Sequence, residues 1–266
     1  DRAFRHGPRR FRANQQRHHR ESFHNTSLMN TPARQKATLR SHFKSQREQL
    51  PGPERERHSA QICSRLATNT WVTQADTVAV YLGIGAEACI DGWFSEAWQN
   101  KQALFAPAIE PLAKRMHLHP LTPTTPLQTG PHGIRSPTAD IHPPAVKRFH
   151  CMLLPLVAYD LSGTRLGMGG GYYDRYIDAL AHRPRLIGIA FQVQQSEDAL
   201  PREPWDIPLD GVTVPEVQGS FLKFCRALGK RSITEFNYRR SDNNDAHIYV
   251  GLGIGSVQDR EETRLG

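Results

Sequence analysis

Arg165-Leu-Gly-Met-Gly-Gly-Gly-Tyr-Tyr-Asp-Arg175 follows an apolar run, Cys151 to Tyr159, that reads as a buried strand. It precedes Tyr176-Ile-Asp-Ala-Leu180, which reads as the first turns of a helix. Glycines between a strand and a helix let backbone N–H groups come close to an anion, with the positive end of the helix behind them. Arg165 and Arg175 flank the loop with fixed charge, and Asp174 sets a carboxylate where a cation would bridge to phosphate. That is the outline of a nucleotide phosphate site. Clustered glycine more commonly means a surface turn, and on this stretch alone the two readings are evenly matched.

The chain of 266 residues fits one or two domains and can bury a real core. No apolar run reaches membrane-spanning length, so no membrane association is expected. The cysteines, Cys63, Cys89, Cys151 and Cys225, form no C-x-x-C pair, and three lie in apolar contexts. Reduced, buried thiols and a cytoplasmic setting are expected. The formal charge is +8, but residues 1–28 supply +5 of it through seven arginines against Asp1 and Glu21. The rest is mildly basic, as suits a protein that handles anionic small molecules rather than nucleic acid. Residues 1–28 lack hydrophobic periodicity and are expected to be a disordered basic leader. They read as sequence ahead of a start at Met29, as a transit peptide or as an RNA-binding arm. The first is favoured because a domain start follows directly.

From Thr31 the pattern turns helical, with Ala37, Leu39 and Phe43 as an apolar stripe. Lys36 and Arg40, four apart, share a face, which on pattern alone is a solvated basic one. Pro51-Gly-Pro53 reads as a break before a helix from Glu54 to Thr68. Thr77 to Ile84 and Ala103 to Ile109 read as strands, with Asp91 capping a helix between them that buries Trp93, Phe94 and Trp98. Met116 to Leu121 alternates like a strand, and 122–145 reads as a long irregular loop. Arg185 to Phe191 and Gly211 to Pro215 complete the strands. Strands alternating with helices predict an α/β fold: a mostly parallel, open three-layer sheet with helices on both faces. Ser220 to Leu228 reads as a helix, and Ile233 to Arg239 and Ala246 to Leu252 as strands around a turn at Ser241 to Asp245.

The glycine loop is not a Walker A motif, since Gly-Lys-Ser/Thr is missing, nor G-x-G-x-x-G, since Tyr172 takes the third-glycine position. Residues 29–215 resemble the 5-formyltetrahydrofolate cyclo-ligase family. The resemblance rests on Lys36-Ala-Thr-Leu-Arg40, Tyr81-Leu-Gly-Ile-Gly-Ala-Glu87, Pro155-Leu-Val-Ala-Tyr-Asp160 with Arg165 to Arg175, and Leu200-Pro-Arg-Glu-Pro-Trp-Asp-Ile-Pro208, in that order. It implies ATP- and Mg²⁺-dependent cyclisation of 5-formyltetrahydrofolate to 5,10-methenyltetrahydrofolate, with ADP and phosphate released. It also implies a division of labour. Lys36, Arg40, Arg165, the backbone of Gly167, Met168, Gly169, Gly170 and Gly171, and Tyr172 and Tyr173 would hold ATP. Asp174 and Asp206 would hold magnesium, Leu82 and Glu87 would contact folate, and Arg40, Glu87 and Tyr172 would act in catalysis. Tyr173 reads as more structural than functional. Some members carry a tryptophan in the long loop that stacks on folate; here Gly133-Ile-Arg-Ser-Pro137 has none.

From Val212 that resemblance stops. Residues 214–266 are similar to part of the C-terminal regulatory, ACT-like domain of biosynthetic threonine dehydratase. A partial unit of that kind leaves an open sheet edge, so poor order or pairing with another chain is expected. The expected protein is otherwise a monomer whose partner is the folate. Two other readings stand beside the enzyme: a non-catalytic regulatory protein whose tail binds an amino acid, and an RNA-binding protein led by residues 1–28.

Overall fold

The computed structural model describes residues 31–110, 112–130, 133–138, 146 and 148–215, together with the backbone of 233–240 and 246–252. Helix α1, Pro32–Gln49, opens on a proline, where a missing N–H costs a helix nothing. Leu50 is extended, as the residue before a proline prefers, and α2, Gly52–Thr68, starts straight after Pro51. The expected break at Pro51-Gly-Pro53 is therefore confined to Leu50 and Pro51. One further turn, α3, Thr70–Thr73, is capped by Asn69 Oδ1, which accepts from Trp71 N at 3.0 Å.

Strand β1 is only Thr77–Ala79, shorter than the expected run to Ile84. Tyr81 to Ile84 leave the ladder and turn into the loop that carries Glu87. Helix α4, Asp91–Gln99, has Ile90 rather than Asp91 at its N-cap. Asp91 is its first residue, and its carboxylate pairs with Arg135 at 2.8 Å instead of capping. Trp93 and Phe94 are buried as expected, while Trp98 is half-buried. Strands β2, Ala103–Glu110, and β3, Arg115–Leu121, follow, and then β4, Leu127–Thr129, and β5, Arg135–Pro137. The last two form an antiparallel pair where an irregular loop was expected. The alternation there is too short to register as strand.

The apolar run 151–159 divides. Strand β6 is Cys151–Pro155, and β7, Ala158–Tyr159, pairs with β8, Arg165–Leu166, around the turn at Asp160 to Gly163. Helix α5, Tyr172–Asp178, starts four residues before the expected point, inside the glycine-loop motif. Strand β9, Arg185–Ile189, a 3-10 turn at Gln192–Gln194 and strand β10, Gly211–Thr213, close the unit.

The six-stranded sheet has the order β10-β9-β6-β1-β2-β3, parallel throughout except for the antiparallel edge strand β3. The chain winds outward from β1 to β2 and β3, then returns to place β6 on the other side of β1. The switch point therefore lies between β1 and β6. In open α/β sheets the loops at the carboxyl ends of two such strands diverge and leave a crevice.

The strands alternate cleanly between two cores. Val78, Leu104, Leu153 and Ile187 point to one, covered by Ile62 and Leu66 of α2 and Trp93 and Ala97 of α4. Ala79, Phe105, Leu154 and Leu186 point to the other, with Phe149 and Ile177 of α5. A third cluster ties α1 to the β7/β8 pair: Phe43, with Leu39 beside it, packs on Val157, Ala158, Leu166 and Leu200. Ala37, expected in the same stripe, is exposed. This third cluster suspends α1 over the crevice.

Asp160 holds the β7/β8 pair to the segment at Leu200. Its Oδ1 accepts from Ser162 N, Ser162 Oγ and Thr164 N at 2.7–2.9 Å, and its Oδ2 from Leu200 N at 2.9 Å. Burial pushes the carboxyl's pKa up, but these donors together hold it below the ordinary aspartate value. Asp160→Asn turns an amide donor toward at least one of these donors and is expected to cost about 2–4 kcal/mol in denaturant unfolding. A depressed folded pKa contributes stability above the unfolded value and loses it as pH falls. The gap between wild type and Asp160→Asn should thus narrow below about pH 4. A gap that stays constant down to lower pH would contradict the assignment.

Cys63, Cys89 and Cys151 are free, but only Cys151 is buried, against the expectation of buried thiols; Cys89 is exposed and Cys225 lies outside the described residues. In the tail, β11, Ile233–Arg240, and β12, Ala246–Leu252, form an antiparallel pair, as the alternation predicted. The expected helix at Ser220 to Leu228, the turn at Ser241 to Asp245 and the leader 1–28 lie outside the described residues. No helix among the described residues is long and apolar enough to cross a membrane.

Candidate active site

A cleft of about 1020 Å³ opens at the switch point. Its walls are α1, the loop after β1, the end of β6, the glycine loop with α5, and the segment around Asp206. Every residue that the sequence nominated lines it: Lys36, Arg40, Leu82, Glu87, Arg165, Gly167 to Gly171, Tyr172, Tyr173, Asp174 and Asp206. The volume is at the upper end of what a cofactor-sized ligand occupies.

The glycine loop lies on two guanidinium groups. Arg40 Nε donates to Gly167 O at 2.8 Å. Gly169 has φ +99°, a left-handed value, and a Cβ there would sit 3.4 Å from Arg40 Cζ. Gly171, φ 62°, turns the chain into α5. A Cβ on Gly167 would meet Arg165 Nη1 at 3.5 Å. Since α5 has only seven residues, its dipole adds little; backbone N–H groups and the two arginines supply the positive field. Arg175 flanks the loop as expected, folding over the Tyr172 ring at 5.3 Å and donating to Gly170 O at 2.9 Å.

Two acidic corners face this loop. Asp174 Oδ1 accepts from Arg165 Nη2 at 2.8 Å and from Ile207 N at 3.4 Å. Asp206 Oδ2 accepts from Lys36 Nζ and from Glu203 N at 2.8 Å. Lys36 Nζ also donates to Glu203 Oε2 at 2.8 Å. Burial draws the Lys36 pKa down, but Asp206 and Glu203 more than offset it, so the ammonium stays charged beyond the ordinary lysine range. Its charge is thus already matched by two carboxylates. Among the described residues the second oxygen of Asp174 and of Asp206 has no hydrogen-bond partner, and no three His, Cys, Asp or Glu side chains converge to hold a metal by themselves.

Glu87 lies deeper. Its side chain is 10 % exposed, with Oε2 accepting from Ile84 N at 3.2 Å and Oε1 3.8 Å from Arg47 Nη1. Burial pushes its pKa above the ordinary glutamate value, against the pull of Arg47. Leu82 is buried beside it. Tyr173 packs against the second core from the cleft wall, with its hydroxyl pKa raised by burial. Tyr172 is half-buried at the start of α5.

The family model of the 5-formyltetrahydrofolate cyclo-ligase family matches residues 32–215. The chain belongs to this family. It is 29 % identical to the 5-formyltetrahydrofolate cyclo-ligase of Haemophilus influenzae over 189 residues, 70 % of this chain and all of that relative. It is 30 % identical to the Escherichia coli K12 enzyme over 178 residues, 65 % of this chain and 96 % of the relative. The solved 5,10-methenyltetrahydrofolate synthetase of Aquifex aeolicus superposes with a TM-score of 0.57 at 30 % identity, over 69 % of this chain and 93 % of that one. Residues 209–264 match the C-terminal regulatory domain of threonine dehydratase. Over 52 residues the chain is 54 % identical to the biosynthetic L-threonine dehydratase of Escherichia coli, but this spans only 10 % of that relative.

Within the cyclo-ligase unit the structure adds residues that the sequence reading missed. Lys44 and Arg47 line the cleft beside the nominated Lys36 and Arg40, so the basic face of α1 is the roof of the site, with Lys36 and Arg47 buried. Their spacing of four, four and three was the available signal. Glu203 was quoted within its motif but given no role. Arg135 lines the cleft from the segment where other members' tryptophan was sought, and nothing in the sequence marks it.

Proposed function

We propose that this chain cyclises 5-formyltetrahydrofolate to 5,10-methenyltetrahydrofolate at the expense of ATP. The observation that carries the reading is the convergence of the nominated site residues on one cleft at the switch point. An N-formyl oxygen is a poor leaving group. Its attack on the γ-phosphorus of ATP breaks the bond to ADP and makes a phosphorylated formyl group. The folate's second nitrogen then bonds to the formyl carbon, loses its proton and expels phosphate. Such transfer is mostly positioning and charge neutralisation.

Arg40 and Arg165, under the loop backbone of 167–171, suit the phosphates, and Arg40 offers a planar fork to their oxygens. Tyr172 stands at the loop's end, within reach of either ligand. Glu87 and Leu82 suit the folate ring, the first accepting its N–H groups and the second packing on it. The acidic corners fit magnesium. Each carboxylate has one oxygen anchored by a positive group and one without a hydrogen-bond partner among the described residues, and Mg²⁺ needs only one or two protein oxygens beside phosphate and water. Bound there, the ion would neutralise charge on the phosphates.

The direct test is incubation of the chain with 5-formyltetrahydrofolate, ATP and Mg²⁺ while following the near-ultraviolet absorbance of the methenyl product. No ATP-dependent product would sink the reading. Asp174→Asn should raise the Mg²⁺ concentration for half-maximal rate by about tenfold, since one carboxylate oxygen is lost from a sparse ligand set. An unchanged magnesium curve would remove Asp174 from that role. We place the whole reaction in residues 32–215, because that is the span that the family model matches. A chain ending at Pro215 is expected to keep its turnover, and its loss would bring the tail into the catalytic unit.

A further inference from the structure

Arg47 is buried, at 4 % exposed. Its Nη1 donates to Leu156 O at 3.3 Å and stands 3.8 Å from Glu87 Oε1, while its buried Nε has no partner. A buried guanidinium with one long ion pair and one orphaned N–H is a poor source of stability. An apolar side chain would serve packing better at that place, as Phe43 does one turn earlier on the same helix. What arginine adds is a fixed cation beside the buried carboxylate of the cleft. Leu156 follows β6 and Glu87 follows β1, so the guanidinium spans the two loops whose divergence makes the crevice.

We propose that Arg47 is a positioning residue for the folate: wedged between Leu156 O and Glu87, it fixes the orientation of the Glu87 carboxylate and balances its charge. The inference rests on the reading of Glu87 as the carboxylate that receives the folate ring. Burial raises the Glu87 pKa, and Arg47 is the strongest opposing influence, ahead of the Ile84 amide and Lys44. Tyr81, from the segment after β1, and Tyr173, from α5, face the same carboxylate. Burial and that charge push both hydroxyls up, so neither titrates where Glu87 does.

The test compares Arg47→Gln, Arg47→Lys, Glu87→Gln and the double variant Arg47→Gln/Glu87→Gln in the full chain. KM for folate, KM for ATP and the pH profile of kcat/KM are measured with a no-enzyme blank at each pH, and thermal unfolding checks the fold. Arg47→Gln is expected to raise the folate KM by about tenfold and leave that of ATP unchanged. The acid limb of kcat/KM for folate should move to higher pH, and Arg47→Lys should bring it back toward wild type. The double variant should be no worse than Glu87→Gln alone, because Arg47 acts through Glu87. An unmoved acid limb, or losses that multiply in the double variant while Glu87→Gln is itself impaired, overturns the role of Arg47 alone. A Glu87→Gln enzyme that binds folate like wild type overturns the reading of Glu87 and this inference with it. Should Arg47→Gln fail to fold, Arg47→Lys carries the test. Its folate KM should rise and its ATP KM should not, and two unchanged values overturn the proposal.

Discussion

Glu87→Ala is expected to lower kcat/KM for the folate by at least about a hundredfold, because charge-assisted hydrogen bonds to the ring would be lost in a site that excludes water. Glu87→Gln should fall nearly as far, since an amide cannot accept from two ring donors without turning its own donor toward one of them. The fold should survive the second change. A carboxyl whose folded pKa is raised opposes folding increasingly as pH climbs from its unfolded value through the folded one. At neutral pH Glu87→Gln should therefore unfold at no lower temperature than wild type, which separates a lost ligand from a lost structure. A wild-type rate in either variant would remove Glu87 from the reaction.

Arg40→Ala carries the second large effect, a fall in kcat of about 10²–10³ with a raised KM for ATP. Arg40 Nε is spent on Gly167 O, so the side chain is already locked against the loop and needs no reorganisation when phosphate arrives. Arg40→Lys should recover only part of the rate, because an ammonium cannot hold Gly167 O and a phosphate oxygen at once through a rigid fork. Gly169→Ala is expected to reproduce part of the same loss, because its φ of +99° strains any other residue beside the guanidinium. ATP kinetics like those of wild type in Arg40→Ala would separate Arg40 from the phosphates.

Both variants touch residues that the sequence nominated from motif resemblance. The fold brings both of them to one cleft. The tail was legible to the same extent: its alternation gave β11 and β12, and its resemblance is matched by the threonine dehydratase regulatory domain.

By itself the sequence determined the layers, because burial on both sheet faces writes itself into continuous apolar strands and into helices with one apolar side. It also determined the glycine loop, since left-handed backbone at 169 and 171 leaves glycine as the residue of choice. Only the tertiary structure decided which charges matter. On α1 the same cationic stripe describes a solvated surface or a buried roof, and the choice depends on Phe43 and Leu39 docking on a hairpin more than a hundred residues away. Likewise, the spacing that sets Arg47 on the face of Lys36 and Arg40 does not tell a buried arginine from an exposed one. Its partners are a carbonyl after β6 and a carboxylate after β1, brought together by the return of β6 to the side of β1. Electrostatics over such distances belongs to the packed chain, where exclusion of water strengthens a pair that would be screened at the surface.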